Sequence, residues 1–311
     1  MTGTDGAEGE GAAHDGCLEV EEPGPFTTVQ DGGRPGLGAL GVGRSGAADR
    51  AAMAAANRLV GNPERAAVLE STMGGPAVRA RRPVMIAVTG PATVVEVDGT
   101  AVGSHCRVLL RAGQVLSVGA PPHGLRNYLA VRGGVTGVRG ADGSVHGPEL
   151  DSLATDVLSG LGPPALRAGD VLTAGRAAAP LPSADLIPPD RAAHTGPVRL
   201  PVVWGPRDDW FTDGARRLLV GGEWTVTPDA DRVGARLHGP EGLRRARGGE
   251  LAPESMVTGA LQVPADGLPV LFLADHPVTG GYPVIAVVRG AALDAAAQLR
   301  PGDRVVFTAA G

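Results

Sequence analysis

Val84-Met85-Ile86-Ala87-Val88-Thr89-Gly90-Pro91-Ala92-Thr93-Val94-Val95-Glu96-Val97-Asp98-Gly99 decides the fold class. Its two apolar runs, 84–88 and 93–97, are β-branched and too short for helices, and Gly90-Pro91 separates them. Asp98-Gly99 then supplies the dipeptide that tight hairpins favour, because its backbone tolerates positive φ. Outward from this stretch the same signal recurs at 107–110, 115–118, 128–131, 198–204, 224–227, 270–273, 284–288 and 305–307. Short strands at such spacing suit barrels or sandwiches. The 49 glycines and 27 prolines in 311 residues are scattered as turn punctuation, so the chain reads as mainly β with a few short helices.

One helix is expected over 47–60, capped by Ser45 and stopped by Gly61-Asn62-Pro63. A weaker one is expected over 209–219, and a short turn of helix over 293–299. The length fits two domains of ordinary size. Residues 1–17 read as a disordered tail, 18–180 as a first β unit with a Gly-, Asp- and Ser-rich insertion at 136–164, 181–197 as a proline-rich linker, and 198–311 as a second β unit. An internal repeat supports two related units, since Thr27-Thr28-Val29-Gln30-Asp31 through Gly41 can be laid on Thr225-Val226-Thr227-Pro228-Asp229 through Gly239.

Composition excludes several chemistries. All 28 basic residues are arginine, so the chain offers no Schiff-base lysine, no P-loop lysine and no biotinyl-lysine. A net charge of −5 without a basic, aromatic-interleaved stripe argues against nucleic-acid binding, and Arg244-Arg245-Ala246-Arg247 reads as a solvated loop. The two cysteines, an N-terminus without an apolar core and the lack of any 18-residue apolar run point to a cytoplasmic protein with no membrane contact. The seven histidines lack metal-ligand spacing, so no metal ligands are expected. No G-x-S-x-G elbow is present. Gly36-x-Gly38-x-x-Gly41 matches a dinucleotide fingerprint only by letter, because Gly32-Gly33-Arg34-Pro35 precedes it in place of a buried strand.

Two polar, glycine-rich loops carry the functional signal. Thr27 to Arg34 offers two hydroxyls, an amide, a carboxylate and a guanidinium within eight residues, and Arg44 and Ser45 add an anion-binding lead into the helix. A capped turn closed by an Asp31–Arg34 surface pair accounts for the first loop equally well. In the second loop Asp275 precedes Thr279-Gly280-Gly281-Tyr282, where paired glycines admit close backbone approach and Thr and Tyr supply directed hydroxyls. A plain strand connection is the competing reading there. Gln262 sits at a strand end, while Asn57 and Glu70 lie among apolar residues as buried polar groups do.

Seven motifs, in order, resemble the biotin-dependent carboxyltransferase family, also called allophanate hydrolase subunit 2. They are residues 26–36, Gly43-Arg44-Ser45-Gly46-Ala47-Ala48-Asp49, Ala56-Asn57-Arg58-Leu59-Val60-Gly61-Asn62, Leu69-Glu70-Ser71-Thr72, Tyr128-Leu129-Ala130-Val131-Arg132-Gly133-Gly134, Leu261-Gln262-Val263-Pro264 and Thr279-Gly280-Gly281-Tyr282-Pro283. The resemblance implies two cyclophilin-like β-barrel subdomains. It also implies one component of an ATP-dependent 5-oxoprolinase, opening a small cyclic amide with a subunit-B-like partner (allophanate hydrolase subunit 1 type) and the A component of that enzyme. ATP with magnesium would sit at the interface with a partner. Two alternatives follow from the same family: a carboxyltransferase component that works on urea or a related amide, with biotin carried on another chain, or a regulatory antagonist of a subunit-B-like kinase inhibitor. The expected catalytic set is Asp31, Arg34, Gln262, Asp275 and Tyr282, and the expected binding set is Thr28, Gln30, Arg44, Ser45, Asn57, Thr279, Gly280 and Gly281. The chain departs from the family pattern at Asp151-Ser152-Leu153-Ala154-Thr155-Asp156, where Gly-Ser-Arg-Ser-Thr-Asp is usual, and at Pro253-Glu254-Ser255, where Ser-Glu-Gly is usual.

Overall fold

A computed structural model describes residues 16–189, 196–249 and 251–309. The expected tail falls outside these up to residue 15, and so does the middle of the expected linker. Cys17, placed at the end of that tail, is fully buried, donates its backbone N–H to Leu172 O at 2.7 Å, and has its thiol pushed up to about 11 by burial.

The first half of the chain is built from two sheets over one core. An eight-stranded sheet runs Val145–His146, Val135–Arg139, Val171–Ala174, Leu18–Glu22, Ala77–Ala80, Val115–Val118, Val95–Val97, Thr100–Ala101. A five-stranded sheet runs Phe26–Gln30, Val68–Thr72, Arg126–Val131, Val84–Thr89, Arg107–Leu110. The deciding stretch is thereby split between sheets: Val84–Thr89 belongs to one and Val95–Val97 to the other, so Gly90-Pro91 turns a corner instead of closing a hairpin. Asp98-Gly99 does close one, pairing Val97 with Thr100. Alternation explains how one strand serves two interiors. In Arg126–Val131, Leu129 and Val131 face the core between the sheets, while Tyr128 and Ala130 face the opposite side with Met53, Ala56 and Leu59 of the first helix.

That helix, α1 (Arg50–Leu59), starts later than expected and is capped by Asp49, whose side chain accepts from Ala52 N at 2.9 Å. Ser45 has φ +51 and caps nothing in α1. The N–H groups of Ala47, Ala48 and Asp49 bond Asp31 O, Glu70 and Tyr128, which ties the lead-in to the rest of the fold, and Asp49, at φ −100 and ψ 94, is extended. Tertiary hydrogen bonds here override an alanine-rich propensity.

The second half closes a seven-stranded barrel in the order Val198–Trp204, Val284–Val288, Ala260–Gln262, Val270–Phe272, Gly234–His238, Glu223–Ala230, Arg304–Ala309. Its first and last strands pair in parallel and the remaining pairs are antiparallel. Trp224, Val226, Leu237, Leu271, Ile285, Val305 and Phe307 alternate inward to fill it, as a small barrel requires. The expected helix at 209–219 resolves into a 3-10 turn, Asp208–Trp210, and α2 (Asp213–Gly221), capped by Thr212. The turn near 293 is α3 (Leu293–Ala296). No helix of the described residues is long and apolar enough to cross a membrane.

Candidate functional site

Both polar loops are anchored where the halves meet, and the glycine-rich insertion is what joins them. Asp31 accepts from Gly33 N at 2.7 Å and Ser152 Oγ at 2.6 Å on one oxygen, and from Leu153 N at 2.8 Å on the other. Gln30 Nε2 donates to Thr155 O at 2.9 Å and to Thr28 Oγ1 at 3.0 Å. Two residues on, Val157 N donates to Asp275 Oδ2 at 3.1 Å, and Ser45 Oγ bridges from the first loop to Asp275 Oδ1 at 2.7 Å. Residues 149–157 thus bind loop one along one edge and loop two along the other. In this segment Asp151 stands where the family has glycine and keeps a left-handed backbone, φ +62, which aspartate tolerates better than most residues. Leu153, in the place of the family's arginine, is packed into the core of the first half.

The seam itself holds a buried ionic network. Arg232 donates to Asp275 through Nε at 2.8 Å and Nη2 at 3.0 Å, to Gly46 O at 2.7 Å, and through Nη1 to Glu70. Glu70 also receives Ala48 N and Tyr128 Oη, each at 2.9 Å, and Arg126 Nε lies 3.5 Å away. Burial alone would push the Glu70 carboxyl up, but Arg232 and Arg126 outweigh it and hold it below the usual range. Burial equally opposes the Arg232 charge, which Glu70 and Asp275 sustain. Burial first, then the charges of Glu70 and Asp49, raise the Tyr128 phenol well above its ordinary value. Gln298 completes the seam by accepting from Leu125 N and Arg126 N and donating to Asp49 Oδ2 at 2.8 Å.

Among the predicted residues the structure separates three groups. Asp31, Arg34, Thr28, Gln30, Ser45 and Asp275 are brought together around residues 149–157, and all but the half-buried Asp31 are buried. Arg44 adjoins them, its proton affinity lowered by burial and by the charge of Arg65. Gln262, Thr279, Gly280, Gly281 and Tyr282 form a second cluster: Thr279–Gly280 pairs with Glu254–Ser255, and Gln262 Nε2 donates to Tyr282 O at 3.2 Å. Arg245 lies over the Tyr282 ring at 6.0 Å, so the run 244–247 is more than the solvated loop expected. Asn57 stands apart, its amide spent on Glu64 O, Ala66 O and Asn62.

One expectation changes. Asp31 and Arg34 do not form a surface pair, because Arg34 is 1% exposed and turns to Glu149 O and Ser152 O. The oxygens of Asp31 and Asp275 are engaged by protein donors. One cavity, about 380 Å³, is lined by residues 31–35 with Leu37, Arg65, Leu150 and Asp151. A larger one, about 570 Å³, opens between the halves beside Asp49, Thr89, His123, Gln298 and Arg300, and contains none of the predicted residues.

Sequence reasoning missed Arg232, Tyr128 and Gln298, and read Glu70 only as a buried polar group. One signal for Arg232 was available: the repeat that sets Thr27 against Thr225 also sets Arg34 against Arg232. Both are buried guanidinium groups, Arg232 spanning the seam and Arg34 bonding within the first half.

A paired-sheet unit joined to a closed barrel through a polar seam is the architecture of a carboxyltransferase domain, and the chain belongs to that family: its model for the carboxyltransferase domain, subdomain A and B, matches residues 40–309. The C component of the 5-oxoprolinase of Escherichia coli (strain K12) is 32% identical over 293 residues, covering 93% of this chain and 90% of that protein. Among solved structures, TTHA0988 superposes with a TM-score of 0.81 at 36% identity over 96% of this chain, and the urea amidolyase of K. lactis with 0.83 at 30% identity over 95%. The chain spans 57% of the TTHA0988 chain and 19% of the K. lactis chain.

Proposed function

We propose that this protein is a non-autonomous component of an ATP-dependent 5-oxoprolinase, which opens the lactam of 5-oxoproline to glutamate together with a subunit-B-like protein and the A component of the enzyme. The observation that carries the reading is the end-to-end match with a 5-oxoprolinase C component, 93% of one chain on 90% of the other. The urea amidolyase similarity, by contrast, falls on a fifth of a much larger protein. A lactam carbonyl is a poor electrophile, and transfer of a phosphoryl group to its oxygen makes ring opening by water feasible. Arg34 and Arg44 are the positive charges that would stabilise the developing phosphate, while Thr279, Gly280 and Gly281 offer further donors and Gln262 and Tyr282 position the substrate. Asp31 and Asp275 act as braces for these groups. Magnesium would be held by the nucleotide and a partner, since the oxygens of Asp31 and Asp275 already accept from protein donors.

Co-expression with the neighbouring reading frames, followed by an assay of 5-oxoproline-dependent ATP hydrolysis, tests the proposal. An assembled complex that turns over only with 5-oxoproline supports it. A complex carrying a biotinylated chain, and turning over only with bicarbonate and urea, replaces it with the carboxyltransferase reading that the K. lactis similarity favours.

A further inference from the structure

The run Arg244-Arg245-Ala246-Arg247, expected as a solvated loop, is pinned along its backbone. Thr212 N donates to Arg244 O at 3.1 Å, Ala246 N donates to Trp210 O at 2.8 Å, and Phe211 pairs with Arg245 in an antiparallel bridge. A backbone held on both sides of Arg245 aims that side chain instead of letting it sweep through water. Arg245 is half-buried, its Nη2 donates to Val263 O at 2.8 Å, and its guanidinium carbon lies 6.0 Å from the centre of the Tyr282 ring. Val263 follows Gln262, whose Nε2 donates to Tyr282 O at 3.2 Å, so Arg245 belongs to the second cluster.

The cations around this cluster differ in what they hold. Arg207 Nε donates to both oxygens of Glu254, at 2.9 and 3.1 Å, and Glu254 lies on the strand paired with Thr279–Gly280. Arg247 is paired with Asp209 at 2.8 Å. Arg245 pairs with no carboxylate among the described residues, since its contacts are a backbone carbonyl and a ring. Its Nε is buried without a partner, whereas its Nη1, also unbonded, is not closed off from solvent. The Tyr282 side of this guanidinium is open as well, with Tyr282 47% exposed. A fixed, partly desolvated guanidinium with a free N–H suits a planar anion, which it holds by charge-assisted hydrogen bonding.

In the function proposed above, Arg34 and Arg44 meet the phosphoryl group and Gln262 and Tyr282 meet the lactam, but the carboxylate of 5-oxoproline, its only charge, has no receptor. We infer that Arg245 is that receptor: it binds the substrate carboxylate beside the Tyr282 ring and makes the second cluster selective for charged lactams over neutral amides. The inference rests on the proposed function for the identity of its ligand. A neutral analogue that fills the same place leaves the guanidinium desolvated and unpaired, so discrimination is built into the site.

Calorimetric titration of the purified chain with 5-oxoproline and its uncharged analogue 2-pyrrolidinone, without ATP or partners, tests it. 5-Oxoproline is expected to bind one-to-one and about tenfold or more tighter than 2-pyrrolidinone. Arg245→Gln weakens 5-oxoproline by about the same factor and leaves 2-pyrrolidinone unchanged, with the thermal midpoint confirming a folded chain. Arg245→Lys, which keeps the charge and loses the fork, falls between the two. Arg247→Gln, whose partner is Asp209, leaves both affinities as they were. An arginine that only braced the Tyr282 ring would move both lactams alike. The inference is overturned if 5-oxoproline does not bind, if the two lactams bind equally, or if Arg245→Gln changes both affinities together or neither. The proposed function fails on a different result, an assembled complex without 5-oxoproline-dependent ATP hydrolysis.

Discussion

Arg232 grips Asp275 with two hydrogen bonds, of 2.8 and 3.0 Å, in the planar fork that only a guanidinium can offer a carboxylate. Because the same side chain also reaches Gly46 and Glu70 of the first half, this pair is one of the points that fasten the barrel to the paired sheets.

Replacing Arg232 by methionine leaves Asp275 buried without its ion-pair partner and Glu70 with Arg126 alone. Loss of one member of such a group costs about 3–5 kcal/mol. Urea unfolding of Arg232→Met is expected to show a midpoint lowered accordingly. Glu70→Gln, which keeps shape and hydrogen bonding, is expected to cost less. Equal and small effects from both would mean that the network contributes little.

Tyr128→Phe removes one hydroxyl that donates to Glu70 at 2.9 Å and accepts from Asp49 N at 2.7 Å, at the entry to α1. The expected loss is about 1–3 kcal/mol, since a buried N–H is left unmatched. Amide hydrogen exchange at Asp49, Arg50 and Ala51 is expected to accelerate before that of the barrel strands.

The pH dependence follows from two displaced groups. Glu70 has its proton affinity lowered on folding, so as pH falls the unfolded chain takes up the proton first, near about 4.3. Its stabilisation is complete above that value and is lost as pH drops further toward the folded value. Tyr128 is raised, so its contribution is complete below about 10, where the unfolded phenol ionises, and is lost at higher pH. A stability profile flat through neutrality and declining at both ends is expected, with the alkaline decline reduced in Tyr128→Phe. Urea midpoints measured across the range check this.

Gly33 and Gly36 both have positive φ, +71 and +86, but only one is crowded. A Cβ on Gly33 would lie 2.6 Å from Ser45 O and still closer to Arg44 O, whereas one on Gly36 meets nothing within 4 Å. Gly36→Ala is therefore expected to cost only the left-handed strain of about 1–2 kcal/mol. Gly33→Ala adds backbone overlap, for a total beyond about 3 kcal/mol. Thermal midpoints of the two variants, compared directly, decide it.

Gly280→Ala tests the second cluster, because its Cβ would displace the Gln262 amide. With Gln262 positioning substrate, kcat/KM of the assembled complex is expected to fall by about 10–100-fold while the fold is kept. Unchanged turnover would remove Gln262 from the site.

Much of this was legible along the chain. The runs 107–110 and 115–118 coincide with the strands Arg107–Leu110 and Val115–Val118, because β-branched alternation between glycine turns is a local signal. The start of α1 was not legible, because residues 47–49 are tied down by Asp31, Glu70 and Tyr128, which all lie outside the helix. The polar loops were visible as composition, yet their partner segment was read as an insertion, since nothing local announces that Ser152 and Leu153 will bond Asp31.

The sequence alone determined that the chain is a turn-rich β protein without lysine chemistry, that two polar loops mark its functional regions, and which family it resembles. These are properties of residue type and short-range spacing. Only the tertiary structure decided which buried arginine is neutralised by carboxylates and which is held by backbone carbonyls. Charge pairing at Arg232 is assembled from residues more than 150 positions apart, and a buried charge is satisfied by whatever folding brings to it.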